Sequence, residues 1–403
     1  MIARSYKIPS KSFFLFGPRG VGKSTWIKEL GGYALRIDLL RHATFLELNR
    51  DPSLLEAQTK HLQKGDVVFI DEIQKIPELL DEVHRLMEDK GLEFILTGSS
   101  ARKLKRIGIN LLAGRAHTYK MYPLTLRELG TTYPIDELLK MGTLPIVLRD
   151  PNSAQETLAS YVDTYLKEEI REEALVRKIS DFQRFLTIAG NLNSGVINFQ
   201  SVARDSGKSG ATIQSWFQIL EETLLGSFVP AYRPGFKVRE VAHPKFYWFD
   251  PAVARTAAGL SENHIDSLSQ GSALETLVLQ EIKVYLEVTR QRMNIYYYAT
   301  QGVGEIDFII ETRPKTTSQT QQFISVEVKL AQKWRRDFEG PSRALMATAG
   351  KSHQKMIGVY LGTERLTFDN FEVFPLMEFV SALYAGELLP PHHPNLTPLK
   401  ARL

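Results

Sequence analysis

In the first 130 residues the apolar positions gather into short unbroken runs instead of alternating with polar ones. Phe13–Phe16, Val67–Ile70 and Phe94–Leu96 are each continuous aromatic or aliphatic stretches. A strand buried on both faces reads this way, so the runs predict a parallel sheet with helices on either side. From 151 to 178 the period changes. Leu158, Tyr161, Val162, Tyr165 and Leu166 recur at helical spacing, with Lys167, Glu168, Glu169 and Arg171 on the other faces, which predicts a helical connector. Phe182, Phe185, Leu186 and Ile188 then predict a short helix, Phe199 to Ala203 opens a second, and Ser209 to Leu220 makes a third. Asp205-Ser206-Gly207-Lys208 is a tight polar turn before the third helix, for which Ser209 is the N-cap. Farther on, Leu274, Leu277, Val278, Ile282 and Leu286 mark the buried stripe of a helix over 274–286, and Glu275 borders it. Asn294 to Ala299 and Glu305 to Ile310 read as two strands of a hairpin joined through Gln301-Gly302-Val303-Gly304. Phe323 to Lys329 is a further strand after a polar loop, Pro314 to Gln322. The whole is an α/β chain of more than one domain.

Chemistry enters directly after the first run. Gly17-Pro18-Arg19-Gly20-Val21-Gly22-Lys23-Ser24 fits the GxxxxGK[ST] phosphate-binding loop and lies between a strand and a helix starting at Thr25. Its glycines allow backbone N–H groups to turn inward on the phosphates of ATP, Lys23 reaches the same oxygens, and Ser24 offers a hydroxyl to Mg²⁺. Thr25 completes the nucleotide-binding set. About fifty residues later the second run ends in Asp71-Glu72. A carboxylate there lies beside the phosphate loop, where Asp71 can hold the Mg²⁺ shell and Glu72 can orient the attacking water. Glu93 to Thr97 leads a third strand into Gly98-Ser99-Ser100.

The order of phosphate loop, acidic strand and polar-tipped strand resembles AAA-type ATPases. The resemblance implies a γ-phosphate sensor at Ser99, with Thr97 and Ser100 close enough to compete. It also implies an arginine finger at Arg115, just before a last strand over 116–121, which would reach a neighbour's nucleotide in a homo-oligomer. The same position also suits a structural ion pair. Ile95 to Ser100, Leu112-Ala113-Gly114-Arg115, Tyr122-Pro123-Leu124-Thr125 with Glu128, and Gly142 to Pro145 together resemble a prokaryotic family of AAA-type ATPases. That family carries a C-terminal domain with a restriction-endonuclease-like fold. Thr143 stands where the family has a second glycine, and His243-Pro244-Lys245 to Asp250 resembles the beginning of its C-terminal domain.

The three short helices resemble a helix-turn-helix, so a winged-helix-like middle domain is expected. Its third helix, Ala211 to Phe217, carries few basic residues, which argues against strong independent DNA binding. In the last third, a helix Glu, a strand Asp and then Glu-x-Lys resemble the PD-(D/E)xK nucleases. Residues i and i+2 of a strand share a face, so Glu327 and Lys329 point together. The resemblance implies that Asp307 and Glu327, with Glu275 alongside, ligate Mg²⁺, and that Lys329 positions or deprotonates water or stabilises charge on phosphorus. A solvated strand face with a Glu–Lys pair would look similar. The expected domains are 1–130 (AAA-type ATPase), 131–180 (connector), 181–235 (winged-helix-like), 236–385 (nuclease-like) and 386–403 (tail).

Composition adds little that discriminates. The 403 residues are 43% hydrophobic and 24% charged, an ordinary globular balance. A net charge of +4 permits nucleic acid as a partner, DNA being favoured, without demanding it. No apolar stretch is long enough to cross a bilayer and no signal peptide is evident, so a cytoplasmic protein is expected. With no cysteine, disulfides, thiolate metal sites and a cysteine nucleophile are excluded. Tyr296-Tyr297-Tyr298 reads as strand core with some capacity for base stacking, Trp334-Arg335-Arg336 as a basic segment near Lys329, and His392-His393 as a tail without metal partners. Two functions follow: an ATP-dependent, Mg²⁺-requiring nuclease, or a nucleotide-dependent switch whose nuclease-like domain binds without cutting.

Overall fold

The computed structural model describes residues 2–7, 9, 11–106, 112–166, 179–233, 243–261, 264–300 and 304–389. The connector beyond Leu166, Leu111, Gly302 and His392-His393 lie outside the described residues.

The N-terminal unit is a five-stranded parallel sheet. Its strands β1 (Phe13–Phe16), β2 (Leu35–Asp38), β3 (Val67–Asp71), β4 (Glu93–Gly98) and β5 (His117–Lys120) lie in the order β2-β3-β4-β1-β5. The first helix, α1 (Lys23–Leu30), follows β1, and α2 (Leu79–Lys90) lies between β3 and β4. Phe13 and Leu15 pack with Trp26 and Ile27 in one core cluster, while Phe14 and Phe16 pack with Val68, Ile70, Leu79 and Val83 in another. Two buried faces explain the unbroken apolar runs, and truncating a side chain such as fully buried Phe14 would cost about 3–5 kcal/mol.

The middle unit comprises α3 (Ile179–Asn191), β6 (Gly195–Val196), α4 (Phe199–Ser206), α5 (Gly210–Glu222), β7 (Gly226–Val229) and β8 (Lys245–Trp248). Asn198 caps α4 by accepting the Gln200 N–H at 3.0 Å, and Ser209 caps α5 by accepting that of Thr212 at 3.1 Å. Phe217 centres an aromatic core, with both Phe185 and Phe246 at 4.9 Å between ring centroids. The strand order is β6-β8-β7. The strand expected to begin the C-terminal domain, after a boundary at 235, is therefore the central strand of the middle unit. The following helix, α6 (Pro251–Ala257), also packs on α3. Strand pairing across 50 residues of sequence is a tertiary choice that local periodicity does not carry.

The C-terminal unit opens with the long helix α7 (Ser267–Val288). Six strands follow: β9 (Asn294–Thr300), β10 (Gly304–Arg313), β11 (Gln322–Lys329), β12 (His353–Tyr360), β13 (Leu366–Phe368) and β14 (Phe371–Pro375), in the order β13-β14-β12-β11-β10-β9. Helix α8 (Gly340–Ala349) packs on β10 and β12, while α9 (Leu376–Ala385) reaches β14 and α7. Phe308, Val326 and Val328 join the α7 core, and Ile306, Ile309 and Phe323 join Leu345 of α8. Tyr297 is buried and donates its hydroxyl to the His243 carbonyl at 2.5 Å, a packing role in place of base stacking. Among the described residues, no helix is long and apolar enough to cross a membrane.

Candidate functional sites

The loop from Gly17 to Ser24 joins the C-terminal end of β1 to the N-terminus of α1, where peptide dipoles favour an anion. Gly22 holds φ 95°, a left-handed conformation that glycine adopts without a Cβ penalty. Lys23 is buried and donates to the carbonyls of Gly17 (2.7 Å) and Pro18 (3.2 Å). Ser24 Oγ donates to Asp71 Oδ1 at 2.9 Å, so the sequence-distant hydroxyl and carboxylate expected at Mg²⁺ meet. Both are hard oxygen donors and fit that ion.

Thr97 Oγ1 donates to the same Asp71 oxygen at 2.5 Å, whereas Ser99 Oγ accepts from Gln74 Nε2 at 3.3 Å. Gln74 also donates to Glu72 Oε2 at 2.5 Å, bridging the expected water-positioning and sensor residues. Glu72 itself adopts φ 63°, a strained setting for a non-glycine residue. Thr97 thus stands nearest Asp71, and Gln74 was not foreseen. Arg115 precedes β5 and pairs with Glu88 of α2 at the surface. Its guanidinium hydrogen-bonds and attracts the Glu88 carboxylate, holding that group below its ordinary range. Over the loop lies the connector: the Tyr161 hydroxyl donates to the Arg19 carbonyl at 2.8 Å, and Pro145, Ile146 and Tyr161 stand against Gly22 and Gly20.

In the C-terminal unit Phe308 pairs with Val326, and one step past them stand Asp307 and Glu327 on neighbouring strands. Between Ile306 and Ile309 the register of β10 against β9 shifts, so Asp307 sits in a bulge, a feature that re-aims a side chain. Asp307 Oδ2 accepts the Val328 N–H at 2.7 Å, and Lys329 pairs with Glu327 Oε1. Glu327 Oε2 is buried and makes no hydrogen bond. An orphaned carboxylate oxygen beside a second carboxylate fits a divalent oxygen-loving cation.

Burial and the Asp307 charge push the Glu327 carboxyl well above its ordinary pKa. Burial alone would lower the Lys329 ammonium, but Asp307 and Glu327 outweigh it and raise its pKa. Glu275 is drawn elsewhere. It accepts the Tyr247 hydroxyl at 2.9 Å and lies 3.7 Å from Lys245, which also pairs with Glu305. Burial and Asp307 raise Glu275 to about 8. Among the described residues, no three carboxylate or imidazole side chains gather closely enough to grip one ion. Asp307, Glu327 and Lys329 are thus brought together, while Glu275 is engaged by Tyr247 and Lys245. Those two and Glu305 were missed; a lysine opening the otherwise aromatic run Lys245–Trp248 was the one available signal. In the basic segment Trp334 packs against Tyr360 and Phe371, and exposed Arg335 and Arg336 pair with Asp337 and Asp369.

Helix α7 joins the two sites. It carries Glu275, while farther along Gln280 Nε2 donates to the Leu124 carbonyl at 2.8 Å, Glu281 accepts the Leu126 N–H, and Glu287 accepts the Lys120 N–H at 3.0 Å. Lys120 ends β5, which pairs with β1, the strand that leads into the phosphate loop.

Residues 9–130 match the family described as an AAA domain, 133–264 match a domain of unknown function (DUF8612), and 270–379 match another (DUF4143). The second match groups β8 with the middle unit. An uncharacterized protein of Mycobacterium tuberculosis is 23% identical over 312 residues, 74% of this chain and 67% of that one. The Holliday junction branch migration complex subunit RuvB of Staphylococcus saprophyticus is 27% identical over 232 residues, 54% of this chain and 62% of its own length. Among solved structures, the replication initiator DnaA bound to AMPPCP and single-stranded DNA aligns with a TM-score of 0.25 at 14% identity, covering 53% of this chain and 82% of that one. The match over residues 9–130 and the parallel sheet with its glycine-rich loop after β1 are consistent with a P-loop ATPase domain.

Proposed function

We propose that this chain is a cytoplasmic ATPase whose nucleotide cycle acts on nucleic acid, DNA in the first place, and whose C-terminal unit is a metal-dependent phosphodiesterase of the PD-(D/E)xK type. The observation that carries the reading is the convergence of Asp307, Glu327 and Lys329 with a buried, unpartnered Glu327 Oε2. The similarity to a branch-migration subunit favours DNA as the polymer.

At the ATPase site, Lys23 and the loop N–H groups bind the phosphates, Ser24 and Asp71 hold Mg²⁺, Thr97 and Ser99 report on the γ-phosphate, and Glu72 orients water. Gln74 fixes Glu72 in relation to Ser99. Arg115 exchanges Glu88 for a neighbouring protomer's nucleotide in a homo-oligomer. At the C-terminal site, Asp307 and Glu327 hold Mg²⁺, with Glu275 in reserve. The bound ion supplies Lewis acidity to a phosphodiester oxygen and lowers the pKa of water. Lys329, paired with Glu327, positions water or stabilises charge on the phosphoryl oxygens. The order α3, β6, α4, α5, β7, β8 supports a winged-helix-like reading of the middle unit. The exposed face of α5, Ala211, Gln214, Ser215 and Gln218, has no basic residue, and Glu222 pairs with Arg102 of the N-terminal unit. That supports a packing role over DNA reading.

A second reading, a nucleotide-dependent switch that binds without cutting, is favoured by one observation: the Lys245 ammonium already balances Glu275 and Glu305. Incubating labelled single- and double-stranded DNA and RNA with Mg²⁺ or Mn²⁺ separates the two. Cleavage lost in both Asp307→Ala and Lys329→Ala supports the nuclease. Intact ATP hydrolysis with every polymer uncut would leave the switch.

A further inference from the structure

Lys245 is a buried charge for which neither the fold nor the ATPase chemistry has a use. It lies on β8 of the middle unit, with neighbours Phe246, Tyr247 and Trp248 all buried, and its own side chain is 4% exposed. Its ammonium pairs with Glu275 of α7 and with Glu305 of β10, and lies 5.7 Å from the Tyr297 ring centroid. An apolar residue would serve the core of a strand at lower cost, since burying an ammonium is expensive unless carboxylates surround it. A cleft of about 620 Å³ between the middle unit and the start of α7 is lined by Lys245, Glu275 and Glu305 together with Asn193, Arg255 and Ser269. Solvent and ions therefore have a path to this group.

We propose that Lys245 is the resident counter-ion of the carboxylate cluster, competing with the divalent cation for Glu275, so that metal binding requires its ammonium to leave. This rests on the metal-dependent reading of Asp307 and Glu327. In that reading Asp307 and Glu327 hold the ion and Glu275 is in reserve, turned toward Lys245 and the Tyr247 hydroxyl. A divalent cation brings two charges where the ammonium brings one, and Glu275 is then free to join Asp307 and Glu327. Because Lys245 belongs to the middle unit and Glu275 to α7, any shift of β8 relative to α7 changes how strongly the ammonium competes. The metal affinity of the site is thereby tied to the arrangement of the units.

Calorimetric titration of the nucleotide-free full chain with MnCl₂ tests this, the C-terminal site being defined as the heat lost in Asp307→Asn. Lys245→Met keeps the buried stem and removes the charge, and Lys245→Gln keeps a polar end should the first variant fold poorly. Both should bind Mn²⁺ about tenfold tighter than wild type or better. In unaltered protein, amine-reactive labelling of Lys245 read by mass spectrometry should be slow without Mn²⁺ and faster at saturation. Equal or weaker affinity in both variants, or labelling indifferent to Mn²⁺, overturns the proposal. If wild type shows an Asp307-dependent site that Lys245 substitutions leave unchanged, only this inference falls. If wild type and variants all lack such a site, the metal-dependent reading falls with it.

Discussion

The carboxylate of Asp250 occupies the space a side chain on Gly142 would need: a Cβ built there would lie 2.2 Å from Asp250 Oδ1. The same carboxylate accepts the N–H groups of Thr143 at 2.8 Å and of Ala252 at 2.9 Å. Asp250 thus caps α6 in the middle unit while gripping the segment that covers the phosphate loop. Gly142 also holds φ 71°. Gly142→Ala should cost about 3 kcal/mol, from left-handed strain and the forced displacement of Asp250, measured by urea unfolding. The loss should couple non-additively with Asp250→Ala in a double-mutant cycle.

At the nucleotide site, Lys23→Ala should abolish ATP binding in a fluorescent-nucleotide titration. Glu72→Gln should bind ATP and lose about 10²-fold or more in turnover. Tyr161→Phe removes the hydrogen bond to the Arg19 carbonyl, worth about 1 kcal/mol, and should weaken ATP binding several-fold without changing turnover at saturation.

Glu281 gives the stability a pH signature. It is fully buried where α7 meets the Leu126 N–H, and burial raises its pKa to about 8. The folded state therefore holds a proton that the unfolded chain gives up near its ordinary carboxylate pKa of about 4.3. Between those values the native state binds more protons, so stability is fullest below the lower value and falls as pH rises toward 8. The loss by neutrality is on the order of 3 kcal/mol. Glu281→Gln should flatten the dependence of the urea midpoint over this window and stabilise the protein at pH 8; an unchanged slope would remove Glu281 as its source.

Arg115 distinguishes a surface ion pair from a finger. Arg115→Ala should leave ATP affinity intact and lower turnover by about 10²-fold or more, and mixing it with Lys23→Ala protomers should restore activity. No recovery on mixing, with little loss of turnover, would reduce its role to the pair with Glu88.

Much of the N-terminal unit is legible because its strands are buried on both faces: Phe13 to Phe16 serves two core clusters at once, and no loop position can imitate such a run. The hairpin and the Glu327–Lys329 strand are equally plain, since period-two spacing alone puts those side chains on one face. Three features stay hidden in one dimension. The choice between Thr97 and Ser99 depends on how far β4 extends past Asp71. The bulge at Asp307 is a mismatch between two strands and has no trace in either. The place of Lys245 among carboxylates requires β8 to pair with β6 and β7, although local resemblance assigns it to the next domain.

The central claim, a nuclease-like centre governed by a nucleotide site, is tested most directly by the rate of DNA cleavage in Mn²⁺ with and without ATP, in wild type, Lys23→Ala and Asp307→Ala. Cleavage should respond to ATP in wild type, lose that response in Lys23→Ala and disappear in Asp307→Ala. Cleavage that survives Asp307→Ala, or ATP hydrolysis with no strand ever cut, would contradict it.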